Sequence, residues 1–282
     1  MQNGRAGTRG STVRGLMTAE KVRLDTLLAQ RGLFPSRARA AASVMAGEVR
    51  LGTGGSRAAK PGQMVAQDAE VTVDEARRHV SRGGTKLENA LDALGVDVAG
   101  RRALDVGAST GGFTDCLLQR GATHVIALDV AYGELAWSLR EDPRVTVAER
   151  RNARDLRSGE LDYEPDLVVA DVSFISLTKV LPAVLACCAP AFDALVMVKP
   201  QFEVGRTRVG KGGVVRDPLL RREAVVTVAR FARDELGAGV LGFAPSGLPG
   251  PKGNLETFVW LCEGGRAGAI DDLDGAVELV AA

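Results

Sequence analysis

The apolar positions of this chain fall into two stretches of different rhythm. Within residues 21–75, Val22, Leu24, Leu27 and Leu28 recur at helical spacing, and that run closes on Gly32, a helix stop. The next segment, FPSRARAAASVMAGEVRL, offers Ser36 as an N-cap, an Ala-rich helix and Gly47 as its end. EVRLGTGG and EVTVDE then alternate apolar and polar residues in the manner of short strands. Two short helices and a small sheet are predicted here. Residues 74–85, DEARRHVSRGGT, are polar and Gly-containing and look like a linker.

From Lys86 onward, apolar strand-length runs alternate with helix-length segments. The strand candidates are Ala103–Val106, Val125–Val130, Val145–Ala148, Leu167–Asp171, Leu195–Lys199, Val240–Phe243 and Thr257–Leu261. Helical segments fall between most of them, notably Phe113–Gln119, Glu134–Arg140, Leu177–Cys187 and Leu219–Leu236. That alternation predicts an α/β fold with a doubly wound, mainly parallel sheet behind a small α+β module.

Charge sharpens this division. Residues 1–60 carry 11 Lys and Arg against 3 Asp and Glu, a net of +8, whereas the whole chain is only +1. A basic module on a mildly acidic body suggests that the N-terminal part meets a polyanion. Arg5, Arg9 and Arg14 precede the first acidic residue, Glu20, among Gly, Ser and Thr. No apolar stretch of a signal peptide is there, so residues 1–20 read as a basic disordered tail, or the true start is Met17. Pro190 and Asp193 interrupt the best membrane candidate, around Val184–Val198. Cys116, Cys187, Cys188 and Cys262 form no Cys-x-x-Cys pair and stand in no His cluster, so neither zinc nor disulfides are expected. A cytoplasmic monomer without metal is the expectation.

LDVGASTGGFTD, residues 104–115, reads as a strand, a Gly-rich turn and a helix start, which is generic to nucleotide-like ligands. Asp129 ends the following strand where a carboxylate receives ribose hydroxyls, and Asn152 follows the third strand at a position suited to an adenine edge. Asp105, Gly107, Ser109, Thr110, Gly111, Asp129 and Asn152 are therefore the candidate cofactor residues. The set resembles the Rossmann-like S-adenosylmethionine methyltransferases.

Charged residues also stand at strand ends, where open α/β sheets place their active sites. Asp171 ends LVVAD, Lys199 ends ALVMVK and Glu256 opens the last strand. Lys86 begins the helix that leads into this domain. If the last strand runs antiparallel beside the fifth, all reach one rim. The order Lys86, Asp171, Lys199, Glu256 is similar to the Lys-Asp-Lys-Glu tetrad of ribose 2′-O-methyltransferases. A sugar hydroxyl must lose a proton as it attacks a sulfonium methyl, and a lysine with the ordinary pKa of about 10.4 is protonated at neutral pH. A second lysine and partial burial favour its neutral form. Lys199 is the expected base, with Lys86 the other candidate. Asp171 and Lys86 would position and polarise, and Glu256 would hold the hydroxyl region or Lys199.

RLDTLLAQRGLFPSRARAAASVMAGEVRL resembles the small RNA-binding domain named after ribosomal protein S-four, with Gly32, Ser36, Arg37 and Gly47 the specific matches. The resemblance implies RNA contacts by Arg23, Ser36, Arg37, Arg50 and Lys60. SRGGTKL, LDVGASTGGFTD, DLVVADVSFISL, VKPQFEVG and PGPKGNLE follow in order, and over nearly the whole chain the pattern resembles the TlyA, or hemolysin A-type, family with an FtsJ-like methyltransferase domain. That resemblance implies S-adenosylmethionine-dependent 2′-O-methylation of cytidine in ribosomal RNA, ribosomal subunits as partners, and sensitivity to capreomycin. It also implies an interdomain linker at Arg77–Val80, RRHV, where an aromatic residue is expected in place of His79. GRTRVGKGGVVRD, residues 205–217, reads as a mobile basic loop over the site.

The expected boundaries are a tail at 1–20, an RNA-binding domain at 21–76, a linker at 77–81, a methyltransferase domain at 82–265 and a C-terminal tail or helix at 266–282. A membrane-lytic protein and a methyltransferase of non-ribosomal RNA are the competing readings. The first lacks an amphipathic, aromatic-edged helix. A small-molecule methyltransferase would leave the basic module unused.

Overall fold

The computed structural model describes residues 21–45, 47–53, 55–73 and 78–278; the basic tail, Met17 and Arg77 lie outside them. Chain contacts divide the protein into a unit up to Arg77 and a unit from Arg78 onward.

The first unit runs β1 (Lys21–Arg23), α1 (Leu24–Gln30), α2 (Arg37–Met45), β2 (Val49–Leu51), β3 (Ser56–Arg57), β4 (Met64–Ala66) and β5 (Val71–Val73). β1 pairs antiparallel with β4, and β3-β2-β5 forms a second small sheet. Leu24, Leu27, Leu28, Ala40, Val44 and Val49 bury the helices against it. Val22, expected in the first helix, instead pairs with Val65 in β1. Its spacing from Leu24 satisfies period two as well as the helical period, and a run this short does not separate them. Ser36 Oγ accepts the Arg39 N–H at 3.2 Å, the expected cap. β3 and β4 were not anticipated, because two or three residues carry too little alternation.

In the second unit, α3 (Arg82–Leu94) precedes β6 (Arg102–Val106), α4 (Gly112–Gln119), β7 (His124–Asp129), α5 (Trp137–Arg140) and β8 (Val145–Glu149). There follow β9 (Leu167–Ala170), α6 (Leu181–Leu185), β10 (Asp193–Val198), α7 (Pro200–Glu203), α8 (Pro218–Leu236), β11 (Gly239–Pro245), β12 (Thr257–Cys262) and α9 (Leu273–Glu278). The seven strands lie in the order β11-β12-β10-β9-β6-β7-β8. β12 is antiparallel to both neighbours, and every other pair is parallel. β9 and β10 are buried along their whole length, which is why their sequences are unbroken apolar runs. α3 and α4 cover one face through Leu87, Leu91, Phe113 and Leu117. α6, α8 and α9 cover the other through Leu181, Val225, Val228, Leu273 and Val277. Each such side chain contributes about 1.5–3 kcal/mol on burial.

Three expectations are corrected. Helix 134–140 starts only at Trp137, because the Ala136 N–H donates to Thr110 O and Glu134 accepts from Ser109 Oγ, so this segment serves the glycine turn. Segment 177–187 splits into a 3-10 turn at Leu177–Lys179 and α6, where Pro182 has no N–H to carry a helix through. Within the presumed linker, Ser81 Oγ caps α3 by accepting the Gly83 N–H at 3.2 Å, so the helix starts at Arg82. Of the tail or helix expected at the C-terminal segment, the described residues form the helix α9, with Leu273 and Val277 buried in the core.

β6 feeds α4, β7 and β8 to one side, and the chain then returns to place β9 on the other side of β6. A crevice opens at such a switch point, outside the carboxyl ends of the parallel strands. Because β12 is reversed, its first residue, Thr257, pairs with the last residue of β10, Val198. Glu256 and Lys199 therefore meet at one rim.

Candidate active site

The glycine turn between β6 and α4 forms one wall of the crevice. Gly107 has φ +85°, and a Cβ there would lie 2.7 Å from the Asp171 carbonyl oxygen, so only glycine lets the two strand ends come this close. Ser109, at φ +47°, donates its N–H to Asp129 Oδ2 at 2.8 Å, and the Ala131 N–H donates to Asp129 Oδ1 at 2.7 Å. These bonds hold the Asp129 carboxylate at the mouth. A cleft of about 360 Å³ is lined by Gly107, Ser109, Asp129, Asn152, Asp171 and Ser173. Asn152 also caps the turn at Ala153–Asp155, its Oδ1 accepting the Arg154 N–H.

Asp105, Thr110 and Gly111 support this cleft from outside its lining. Asp105 is fully buried beneath the turn, where Oδ2 accepts from the Thr114 N–H at 2.9 Å and the Thr114 hydroxyl at 2.7 Å. Burial pushes its carboxyl up to about 7, against the pull of the two Thr114 donors. Its Oδ1 has no partner. Thr110 supplies the carbonyl bound by Ala136, and Gly111 packs against Leu135 and Leu139.

The four tetrad candidates resolve into two pairs. Lys199 Nζ lies 2.5 Å from Asp171 Oδ1, off the hydrogen-bonding direction at that oxygen, and donates to Ser173 Oγ at 2.8 Å. Lys86 Nζ donates to Glu256 Oε2 at 2.5 Å, with both side chains buried. A second cleft, about 690 Å³, is lined by Lys199, Glu256, Ser173 and Phe174 but not by Lys86. Gly250 lets Glu256 in, since a Cβ there would lie 2.5 Å from Oε1.

Several residues at this mouth were missed by sequence reasoning. Phe174 is 92% exposed, holds φ +64° and lines both clefts. In DVSFISL nothing but a strained, solvent-facing aromatic marks it, and neither property is visible in sequence. Glu203 is half-buried, and its Oε2 accepts from Ser176 Oγ at 2.6 Å while Oε1 accepts the Leu177 N–H at 2.9 Å. Burial raises its carboxyl above the usual range. Asn254, 2% exposed, accepts the Val215 N–H and donates to Gly213 O, each at 2.9 Å. The basic loop expected to be mobile is thus tied down at its second half.

The presumed linker docks on the catalytic unit. Arg78 Nη1 donates to Glu88 at 2.6 Å, the Val80 N–H donates to Asp115 Oδ2 at 2.8 Å, and His79 is buried. Asp115 belongs to α4, which begins at the glycine turn. In the first unit, Arg23 donates to buried Asp25 at 2.6 and 3.1 Å, and Arg37 lies 3.7 Å from the same carboxylate. Mainly the Arg23 hydrogen bond holds Asp25 down at about 2. Arg50 Nη1 donates to Gly55 O at 3.2 Å, and Lys60 is exposed.

A doubly wound sheet with one reversed strand, a glycine turn at its switch point and an acidic end to the next strand define a Rossmann-like methyltransferase. The model of the FtsJ-like methyltransferase family matches residues 79–262. The chain is 54% identical over 245 residues to the 16S/23S rRNA (cytidine-2′-O)-methyltransferase TlyA of Mycobacterium tuberculosis, covering 86% of this chain and 90% of that protein. It is 37% identical to Hemolysin A of Brachyspira hyodysenteriae, covering 83% and 97%. A solved structure described as a hemolysin from Streptococcus thermophilus has a TM-score of 0.70 at 37% identity, covering 93% of this chain and 96% of that one. The chain belongs to the TlyA family of FtsJ-like methyltransferases.

Proposed function

We propose that the protein transfers a methyl group from S-adenosylmethionine to the ribose 2′-hydroxyl of cytidine in ribosomal RNA. The observation that carries this reading is the position of the Lys199–Asp171 pair: Asp171 lines the cleft beside Asp129, Lys199 lines the cleft beside Glu256, and the two touch. A methyl group crossing from one cleft to the other passes that contact.

Asp129, Asn152 and the turn at Gly107–Ser109 fit the cofactor, because the carboxylate at the mouth suits ribose hydroxyls and the bare backbone of Gly107 leaves room beside Asp171. When bound, the cofactor supplies an electrophilic sulfonium methyl. The acceptor hydroxyl would then sit between Lys199 and Glu256, facing that methyl. Its proton goes to Lys199 in the neutral form. Asp171 and Ser173 hold Nζ at the rim, and Glu256, kept in place by Lys86, orients the hydroxyl. Much of the acceleration comes from holding nucleophile and methyl in line. Among the described residues no helix is long and apolar enough to cross a membrane.

Ribosomal subunits from cells lacking the activity, incubated with purified protein and S-adenosylmethionine, test the reading. Nucleoside mass spectrometry should find 2′-O-methylcytidine. Methyl groups only on bases, or none at all, would overturn it.

A further inference from the structure

Besides the two clefts already assigned, a third of about 360 Å³ opens on the far side of Phe174. It shares Phe174, Gln201, Phe202 and Arg206 with the acceptor cleft, and Arg154 and Lys179 close its rim. The rings of Phe174 and Phe202 stand 5.3 Å apart, so an aromatic wall divides the two spaces.

Charge separates this cleft from the rest of the surface. Nearby arginines are neutralised: Arg151 pairs with Glu160 and Arg208 with Glu223. Arg154, Lys179 and Arg206 are exposed, and among the described residues none of them forms an ion pair. Glu203, which follows Phe202 in the chain, spends both oxygens on Ser176 and Leu177. Gln201 adds a buried Oε1 with no hydrogen-bond partner. Three unneutralised cations, a stacking surface and an unmet acceptor form a site for an anionic group attached to a planar, hydrogen-donating one.

We infer that the third cleft binds the nucleotide adjacent to the methylated one, with its phosphate on Arg154, Lys179 and Arg206 and its base against Phe202. This rests on the RNA reading of the acceptor cleft and extends it from one nucleoside to two. The aromatic wall separates the target from its neighbour, so the strand must be unstacked to occupy both clefts. Single-stranded or splayed RNA is the form that fits, because stacked bases cannot straddle Phe174.

The test is the triple variant Arg154→Ala, Lys179→Ala, Arg206→Ala in the full chain. Binding is measured across salt concentrations, on ribosomal subunits and on a short single-stranded oligoribonucleotide that needs no methylation site. The three side chains together neutralise one phosphate, so the triple variant should lose roughly one from the salt slope on both probes. Affinity for S-adenosylmethionine should stay at the wild-type value. Phe202→Leu should weaken binding while leaving the salt slope intact, because it removes stacking and no charge. An unchanged slope in the triple variant would overturn the inference, as would a loss confined to S-adenosylmethionine binding. If the wild type methylates no ribosomal RNA but the oligoribonucleotide slope still falls, the subsite stands and the proposed target is wrong.

Discussion

The two lysine–carboxylate pairs at the catalytic rim have the same composition and opposite surroundings. Lys86 and Glu256 have side chains only 7% and 2% exposed, whereas Lys199 and Asp171 are 11% and 26% exposed, and Lys199 also donates to Ser173. The buried pair joins α3 to the start of β12, two elements 170 residues apart in sequence. The open pair joins the two clefts. Burial makes one pair costly to break and fixed in place, while exposure leaves the other able to exchange a proton with a substrate. Residues that read as one tetrad along the chain thus divide into a buried brace and an open pair, the one proposed to react.

The sharpest way to break this comparison is to exchange the roles of the lysines. Lys199→Met keeps most of the side-chain volume and cannot accept a proton. Single-turnover methyl transfer should fall by about 10²–10⁴-fold, the usual weight of a general base, with the melting temperature nearly unchanged. Substantial activity in Lys199→Met would transfer the role to Lys86.

Lys86→Met examines the brace. It leaves Glu256 charged, buried and unpaired, and should cost about 3–5 kcal/mol of stability. Adding Glu256→Leu should recover most of that stability without recovering activity, since an apolar pair fills the space but cannot orient a hydroxyl. Chemical denaturation of both variants decides it. A single variant as stable as wild type would mean that the pair braces nothing.

On the open side, the loop that carries Ser173 and Phe174 is tied to α7 by Glu203. Glu203→Ala should lower kcat on the order of tenfold through a loosened loop, with KM for S-adenosylmethionine less affected. Glu203→Gln should restore most of the rate, since its amide still accepts the Leu177 N–H and bonds Ser176. Equal losses in both variants would point to the charge rather than the positioning.

The smallest effect concerns a carboxyl that is buried like Glu256 but lacks a cation. The proton on Asp105 is held more tightly in the folded protein, at about 7, than in the unfolded chain, near 4. Its contribution is therefore present at low pH and is lost as pH rises from about 4 to about 7. Asp105→Asn lacks that loss, so its melting temperature should gain on wild type across this window. A difference between the two proteins that does not vary with pH would remove the assignment.

The sequence by itself determined what repeats locally. The buried strands are legible because a strand covered on both faces must be apolar throughout, as in LVVA and ALVMV. The turn after β6 is legible because backbone approach demands glycine at Gly107, and Asp129 and Lys199 because they close such runs. Helix 177–187 was overread because its apolar spacing outweighed Pro182, which has no N–H to carry one helix through the segment. Which lysine faces which carboxylate was decided only by the tertiary structure. The reversed β12 brings Glu256 beside the end of β10, and the seating of α3 then directs Lys86 to it. The exposure of Phe174 and the pairing of Arg151 with Glu160 and of Arg208 with Glu223 arise in the same way. A periodic pattern records which side of an element is buried; partners far apart in the chain are set by how the elements pack.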